Sequence, residues 1–365
     1  MGNAINVALI KGDGIGVDVA SAAIHVMEAA LAKVGEPKPV YDDIKAGAGY
    51  YKETGRDIEA DGEKRAGDAD AIFLGAIGLP SVRYKDGTEV SPHLRLRDRF
   101  GLYAGVRPVK AYPNAPQRLA DPRAGAIDLV ILRESTEGLF YSAAAHGRSL
   151  LVTDDEVQDI LRITRPTTTR LHHFAFGLAQ KRKQRGKSGK LTCVDKANVF
   201  TSMAFFRKIF DEVRVNFPDV EVGYNYVDAQ ALDLVRKPWE FDVLVTENMF
   251  GDILSDLAGG LVGGMGMAAC AEIGDSVGLF QPAHGSAPDI IGQDKANPLA
   301  AILSASLMLD YLAAKLENPR LGDASVLIED AVDRGFAQNL LRPIEFGGNM
   351  GTVSVTERVV ALIAE

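Results

Sequence analysis

Cysteine is scarce in this chain. Its 365 residues include only two cysteines, Cys193 and Cys270, and they stand far apart in the sequence. Two separated cysteines cannot supply a disulfide framework or the ligand set of a structural zinc site. We therefore expect a protein of a reducing compartment.

The chain also lacks an excess of positive charge and an apolar run of membrane length. Lysine and arginine number 40 against 49 acidic residues, which gives a formal charge of −9. This balance argues against nucleic acid or an anionic membrane as a partner, although it allows a local basic pocket. The most apolar glycine-rich stretch, 257–270, is too short to span a bilayer, and the start of the chain has no signal-peptide layout. We expect a soluble, cytoplasmic protein.

What the chain does have is an alternation of short β-branched runs with longer amphipathic segments. Strands are expected over 5–10, 71–77, 128–133 and 242–248, and helices over 19–34, 155–183 and 297–316. Such alternation predicts an α/β fold with a largely parallel sheet.

A glycine-rich turn, KGDGIG (11–16), follows the first expected strand. A Rossmann dinucleotide loop needs another glycine three residues after Gly14, and that position is Val17. We predict a tight strand-to-helix turn, so a nicotinamide cofactor would be held elsewhere.

Three aspartates are candidate metal ligands. Asp252 and Asp256 are four residues apart, so a helix would place both carboxylates on one face. A hard divalent cation would turn their mutual repulsion into a binding site, with Asp228 as a further oxygen donor. The alternative is that Asp252 caps a helix and Asp256 is simply exposed.

Three arginines and one lysine also have the chemistry of a site. Arg97, Arg107 and Arg133 occur in or beside apolar segments, and a guanidinium fork matches carboxylates. Surface salt bridges are the alternative explanation. Lys196 follows an expected strand, and a partly buried lysine can act as a base.

The loop at 281–298 combines small residues with polar ones. Ser286 permits close approach of a ligand, and Asp289 could accept hydrogen bonds from a ribose. A carboxylate there would disfavour a 2′-phosphate, which favours NAD over NADP.

Together these segments resemble the β-decarboxylating dehydrogenases, the family of isopropylmalate, isocitrate, homoisocitrate and tartrate/D-malate dehydrogenases. The resemblance runs from GDGIG to the helix after ANP (296–298), and the order and spacing of the motifs are its specific part. It implies an isopropylmalate dehydrogenase-like two-domain α/β fold, not Rossmann, with one large mixed sheet spanning both domains. Residues 1–103 with 263–365 would form the cofactor-side domain, and 104–262 the central dimerisation and substrate/metal domain.

The resemblance also implies a role for the candidate residues in a homodimer with active sites shared between subunits. Arg97, Arg107 and Arg133 would bind the carboxylates of a hydroxy-dicarboxylate or tricarboxylate substrate. The metal, Mg²⁺ or Mn²⁺, would be held by Asp252 and Asp256 together with Asp228 of the partner subunit. Lys196, also from the partner, would take the proton of the 2-hydroxyl, and Asp228 would assist catalysis. The residues around NAD would be His284, Gly285, Ser286, Ala287, Asp289, Ile290, Asn297 and Asn198.

One position departs from the family pattern R-E-x-(S/T)-x-x-x-Y, whose tyrosine would protonate C3 after decarboxylation. Here the aromatic residue at that position is Phe140, and Tyr141 follows it. Because adjacent residues of a strand point to opposite faces, Tyr141 would need a local shift to replace the missing acid. Either a bulge, a water or another group supplies the proton, or decarboxylation is altered or slow. A catalytically silent regulatory subunit is a further alternative, against which the intact lysine and aspartate set argues.

The residues before Arg97 would contact the substituent on C3 of the substrate. By resemblance, Leu94 matches isopropylmalate enzymes, Ser91 matches isocitrate enzymes, and His93 matches neither. Val90 and Leu94 leave an apolar element in the pocket. We therefore expect NAD-dependent oxidative decarboxylation of a 3-substituted (2R)-malate, with 3-isopropylmalate favoured over tartrate/D-malate, isocitrate and homoisocitrate.

Overall fold

The computed structural model describes residues 4–144 and 151–365, which form twelve strands and twelve α-helices. The strands are β1 Asn6–Gly12, β2 Val40–Asp43, β3 Ala71–Ala76, β4 Ala104–Lys110, β5 Asp128–Glu134, β6 Leu151–Val152, β7 Val157–Gln158, β8 Leu191–Asp195, β9 Val222–Tyr226, β10 Val243–Thr246, β11 Ala269–Ile273 and β12 Gly278–Pro282.

The helices lie between these strands and after the last of them. They are α1 Gly16–Lys33, α2 Ala48–Thr54, α3 Gly62–Asp68, α4 Pro92–Arg99, α5 Phe140–Ala144, α6 Arg165–Gln184, α7 Thr201–Arg214, α8 Val227–Arg236, α9 Asn248–Leu261, α10 Leu299–Lys315, α11 Pro319–Ala337 and α12 Thr352–Ala364.

Ten of the strands form one mixed sheet in the order β2-β1-β3-β12-β11-β4-β5-β10-β8-β9. The strands β2, β1, β3 and β12 run parallel, as do β5, β10, β8 and β9. Between these halves, the pairs β12–β11, β11–β4 and β4–β5 are antiparallel. The predicted α/β fold with one large mixed sheet is confirmed, and it is not a Rossmann sheet.

The central strands are buried along nearly their whole length, because helices cover both faces of the sheet. β3, β8 and β10 have no exposed residue, and their side chains are mostly β-branched or otherwise apolar. α10, with buried residues on most of its surface, packs against α1 and α11 on one face of the sheet. The predicted helix over 297–316 is thus confirmed within two residues.

The KGDGIG turn is the tight turn that the sequence predicts. Gly12 and Gly14 have φ values of +74° and +56°, which favour glycine. A Cβ on Gly14 would stand 2.0 Å from the carbonyl oxygen of Ser286, so the turn packs directly on the loop after β12. Asp13 fixes the turn because its carboxylate accepts backbone hydrogen bonds from Ala48, Gly49 and Gly78 at 2.8 Å each.

The prediction of a helix over 155–183 is wrong at its start. The helix begins at Arg165, and the residues before it form the exposed antiparallel pair β6–β7. Pro166 explains the boundary, since proline fits the first helical turn, whereas a helix that extended further back would place its ring against the carbonyl of Arg162.

Among the described residues, no helix has both the length and the apolar character needed to cross a membrane.

His172 lies where α6 packs against α7. Its ring is fully buried, lies 4.5 Å from the ring of Phe206 between centroids, and has Nε2 3.2 Å from the carbonyl oxygen of the same residue. Burial lowers the pKa of His172 from 6.5 to about 3. Between these pH values the unfolded chain binds a proton at this histidine that the native protein does not.

We therefore predict that His172 destabilises the native protein increasingly as the pH falls below 6.5. Relative to His172→Gln, the wild type should lose about 1.4 kcal/mol of unfolding free energy per pH unit. Urea unfolding of both proteins over this pH range measures the difference. His173→Gln, on the exposed side of α6, is the matched control and should leave the pH dependence of the wild type in place. A pH-independent difference between wild type and His172→Gln would contradict the prediction.

Candidate active site

The candidate site is built on one row of the sheet, where β11, β4 and β5 lie side by side. Glu272 is opposite Gly105 in the register, and Gly105 is opposite Arg133. Register partners point to the same face of a sheet, so the glutamate and the arginine emerge on either side of a residue without a side chain. Arg107 stands two residues after Gly105 and therefore points to that face as well.

Glu272 carries the ion pairs that hold this face together. Its Oε1 lies 2.9 Å from Nη2 of Arg97 and 2.5 Å from Nη2 of Arg107. Burial by itself would raise the pKa of Glu272, but the neighbouring guanidinium groups outweigh that effect and lower it to about 2. The buried carboxylate is therefore ionised at neutral pH.

Arg133 joins this group to α9. Its Nε donates to Oδ1 of Asn248 at 2.9 Å, and its Nη1 pairs with the carboxylate of Asp252. Burial and the charge of Arg97 lower the pKa of Arg133 to about 10. Arg97, Arg107 and Arg133, here called the arginine cluster, are all buried, so the alternative of surface salt bridges is wrong.

Asp252 and Asp256 stand one turn apart on α9, as their spacing predicts. Asp256 is exposed, as the alternative expected, but partial desolvation by the protein around it and the charge of Asp252 still raise the pKa of its carboxyl group. The two carboxylates therefore repel each other beside the arginine cluster. Two adjacent oxygen donors of this kind fit a divalent cation, whose charge would relieve the repulsion.

Lys196 and Asp228 form a separate pair. Lys196 Nζ lies 2.5 Å from Oδ1 of Asp228, and this hydrogen bond lowers the pKa of the aspartate. Within 4–144 and 151–365, no three His, Cys, Asp or Glu side chains are grouped so that they could hold a metal ion. One chain thus provides two acidic donors on α9 and, apart from them, a lysine–aspartate pair beside α8.

A cavity of about 810 Å³ opens next to Asp252. Its apolar lining consists of Leu94, Leu139, Phe140, Met249 and Ile253. Its polar lining consists of Asp57, Tyr84, Thr88, Glu89, Ser91, Arg95, Ser142, Asp159 and Asp252. The cavity has the size of a small-molecule site with both an apolar and a polar side.

Phe140 and Tyr141 begin a helix, α5, so the expectation that they lie on a strand is wrong. Consecutive helical residues point about 100° apart rather than to opposite faces. Phe140 lines the cavity, and the guanidinium of Arg133 lies 4.8 Å from the centre of its ring. The ring of Tyr141 instead lies 4.3 Å from the guanidinium of Arg162. Of these two adjacent rings, the one that lines the cavity is therefore that of Phe140, which has no hydroxyl.

A second cavity, of about 360 Å³, adjoins the first and shares Glu89, Ser91 and Leu94 with it. His93, Arg97, His284 and Gly285 also line this second cavity. Nδ1 of His93 and Nε2 of His284 are buried without a hydrogen-bond partner. Burial lowers the pKa of His93 to about 3 and that of His284 below its usual value, so both rings are neutral at pH 7. Unpartnered polar atoms facing a cavity fit a polar ligand such as a nicotinamide cofactor.

The other residues predicted to bind NAD lie in and around the loop after β12. Asp289 is exposed and accessible to a ribose, and it lies in a short 3₁₀ turn that ends at Ile290. Ala287, just before that turn, has a φ of +34°. Asn198 is also exposed and follows β8 close to Lys196 in the chain.

Two predicted cofactor residues are already occupied by structural hydrogen bonds. Ser286 donates from Oγ to the carbonyl oxygen of Gly78, and its own carbonyl accepts from Ile15 at 2.7 Å. Asn297 donates to Oε2 of Glu345 at 2.9 Å and accepts from the backbone N–H of Leu299. These side chains shape the loop and the start of α10.

Glu272 is the functional candidate that the sequence analysis missed. The signal for it is an acidic residue inside an apolar run, MAACAEI (267–273), which does not say which residue is its partner. A strand embedded in a sheet tolerates such a charge only with a counter-ion, so the run does predict some buried cation nearby. Asn248, which orients Arg133, was missed for the same reason.

Comparison with known proteins gives consistent results. Residues 6–361 match the family described as isocitrate/isopropylmalate dehydrogenase. The chain is 41% identical to the 3-isopropylmalate/3-methylmalate dehydrogenase of Methanocaldococcus jannaschii, over 98% of this chain and 99% of that protein. It is 38% identical to the 3-isopropylmalate dehydrogenase of Heyndrickxia coagulans, with coverage of 98% and 96%. The crystal structure of isocitrate dehydrogenase from Methylococcus capsulatus superimposes with a TM-score of 0.83 at 32% identity, covering 99% and 100% of the two chains.

Gly105 lies between Glu272 and Arg133 in the row on which the site is built, and a substitution there tests whether the row needs a residue without a side chain. A Cβ at this position would stand 2.6 Å from Oγ of Ser135 and 3.0 Å from Oε2 of Glu272. We predict that Gly105→Ala lowers the free energy of unfolding by about 1–3 kcal/mol, because a buried ion pair has to shift. Thermal or urea unfolding measures the change.

Gly177→Ala is the matched control for Gly105→Ala. Gly177 lies within α6 with nothing within 4 Å of an added Cβ. Alanine there should stabilise the protein by about 0.5–1 kcal/mol. Equal stability of the two variants would show that Gly105 does not keep space open for Glu272.

Proposed function

The chain belongs to the isocitrate/isopropylmalate dehydrogenase family, and on that premise we propose that it catalyses the NAD- and divalent-metal-dependent oxidative decarboxylation of a 3-substituted (2R)-malate, with 3-isopropylmalate as the favoured substrate. The observation that carries the proposal is the buried arginine cluster beside the Asp252–Asp256 pair. Guanidinium groups bind carboxylates, and the two aspartates offer oxygen donors to a cation next to them.

The apolar side of the first cavity supports an alkyl group on C3. Leu94, Met249 and Ile253 line it together with Phe140, close to Asp252. An isopropyl group on C3 would bury apolar area against these side chains while the carboxylates face the arginine cluster. The names of the relatives at 41% and 38% identity agree with such a substrate for those proteins.

The chain's own residues would bind, orient and move protons. Asp252 and Asp256 would hold a divalent metal, which when bound would supply Lewis-acid chemistry, and bound NAD would supply a hydride acceptor. Arg97, Arg107 and Arg133 would hold the carboxylates, so that C2 and C3 have a fixed orientation. Lys196 of the partner subunit would take the 2-hydroxyl proton. Its pairing with Asp228 at 2.5 Å keeps the amine in place.

After oxidation, the carboxylate on C3 leaves as CO₂ and C3 takes a proton. Phe140 stands where the family pattern has a tyrosine, and its ring cannot donate that proton. The proton would come from water or from a hydroxyl on the polar side of the cavity, such as that of Tyr84 or Ser142. The steps after hydride transfer would then be slower than the formation of NADH.

A homodimer would complete the site. One chain keeps its Lys196–Asp228 pair apart from Asp252 and Asp256. Exposed apolar side chains surround that pair on β9 and its neighbours: Val199, Phe200, Tyr224, Tyr226, Leu232 and Val235. A partner that covers this surface could bring its own pair to α9.

The domain ranges 1–103 with 263–365 and 104–262 belong to the same proposal, and they divide the sheet between β11 and β4.

A tartrate/D-malate, isocitrate or homoisocitrate substrate is less favoured, because the two relatives reported above bear isopropylmalate names. A non-catalytic subunit is less favoured, because the arginine cluster, both α9 aspartates and Lys196 are all present.

A substrate panel tests the function directly. With NAD and Mn²⁺, the chain should form NADH on 3-isopropylmalate faster than on D-malate, D-tartrate or isocitrate, and CO₂ should be followed in parallel.

Since Phe140 lacks the hydroxyl, we predict that CO₂ or protonated product lags behind NADH, and that Phe140→Tyr removes the lag. No turnover on any malate derivative would refute the proposal. Stoichiometric CO₂ and protonated product, both without a lag, would show that another group supplies the proton efficiently.

Subunit complementation tests the shared site. Lys196→Ala and Asp252→Asn should each abolish NADH formation. Lys196→Ala removes the base that each subunit donates to its partner's site, and Asp252→Asn removes a metal ligand from each subunit's own α9. After the two variants are mixed by co-refolding, half of the dimers should be mixed, each with one intact site, so about a quarter of wild-type activity should return. Mixing Lys196→Ala with Asp228→Asn, which damages the same half, is the control and should restore nothing. Equal recovery of activity in both mixtures would contradict an active site shared between subunits.

A further inference from the structure

We propose that Glu272 is a resident anion of the substrate site that limits the charge of the substrate, so that a malate with an uncharged group on C3 binds and a tricarboxylate is rejected. This inference rests on the proposed function and adds a specificity-determining residue to it.

The first support is the position of Glu272 within the arginine cluster. One oxygen, Oε1, is shared by Arg97 and Arg107, and Oε2 has no hydrogen-bond partner. The side chain is fully buried on a central strand, so it cannot swing into solvent when a substrate arrives. A carboxylate fixed in this way is part of the site's charge in every state of binding.

The second support is the balance of charge. The arginine cluster carries three positive charges, and Glu272, which pairs with Arg97 and Arg107, carries one negative charge, so a net of two positive charges is left for a ligand. Asp252 pairs with Arg133, but its geometry on α9 suits the metal. Two remaining charges match the two carboxylates of a malate. A third carboxylate would meet no uncompensated cation in the arginine cluster.

The third support is the cavity next to the arginine cluster. Among its described lining residues, Arg95 is the single cation, and it is held by Asp57 at 2.7 and 2.9 Å and by Glu63 at 2.6 Å. Glu89 adds a further carboxyl group to the same wall, where it pairs with Arg83 at 3.6 Å. A charged group on C3 would therefore lie among carboxylates rather than cations, whereas a neutral alkyl group has Leu94 and Ile253 to contact.

The proposal predicts how Glu272→Gln changes the preference between ligands. Glutamine keeps the size and a hydrogen-bond acceptor for the arginines, but it removes one negative charge. The ratio of the Kd for the tricarboxylate isocitrate to the Kd for 3-isopropylmalate should fall by about tenfold or more, because the removal of one fixed negative charge from the arginine cluster leaves a positive charge for a third carboxylate.

Isothermal titration with Mn²⁺ present measures both dissociation constants without turnover. The wild type should bind 3-isopropylmalate at least about tenfold more tightly than isocitrate. Glu272→Asp keeps the charge and should keep that preference. Glu329→Gln makes the same substitution at a partly buried carboxylate whose hydrogen bond goes to Ser306, outside the arginine cluster, and it should leave the ratio unchanged.

The outcomes separate this inference from the proposed function. A wild type that binds isocitrate as tightly as 3-isopropylmalate would overturn the inference, even if Glu272→Gln failed to fold. A folded Glu272→Gln with the wild-type ratio would overturn it as well. In either case, NADH formation on 3-isopropylmalate would leave the proposed function standing. If the wild type neither binds nor oxidises either acid, both proposals fail.

Discussion

The carboxylate of Glu272, shared by Arg97 and Arg107, is the interaction on which the candidate site depends. Guanidinium groups buried without a counter-ion are costly, and removal of one partner from a buried ion pair typically costs about 3–5 kcal/mol. Here one oxygen partners two arginines, at 2.9 and 2.5 Å. The ion pairs let a positively charged surface exist in the interior before any ligand binds.

The position of that interaction follows from the sheet. The two parallel halves meet through three antiparallel pairs, and β11, β4 and β5 lie at the junction. Glycine at 105 leaves a gap in the row between Glu272 and Arg133, and side chains from both sides fill it. α9 then reaches β5 closely because Gly251 faces Arg133, which brings Asp252 beside the arginine cluster. The residues that we propose to bind substrate and metal therefore lie where the two halves of the sheet join.

Sequence reasoning was reliable where one local rule decides the structure. The apolar runs of β1, β3, β5 and β10 are buried strands, and Gly12 and Gly14 do form a turn. It failed where local patterns compete, as before Arg165, where an amphipathic period suggested helix through a segment that proline excludes. It also placed Phe140 and Tyr141 on a strand, although the strand ends at Glu134. Convergence of Arg97 and Arg107 on Glu272 depends on the placement of α4 and on pairing between strands distant in sequence, which residue patterns do not encode. The structural bonds of Ser286 and Asn297 depend on similarly remote partners.

The central claim is that the arginine cluster, with Glu272 in place, receives the substrate beside a metal held on α9. A crystal structure with Mn²⁺ and 3-isopropylmalate tests it most directly. Both substrate carboxylates should contact Arg97, Arg107 or Arg133 while Glu272 keeps its pairs. The metal should lie between Asp252, Asp256 and Asp228 of the partner subunit. A substrate that displaces Glu272 from the arginines, or a metal bound away from α9, would contradict the account.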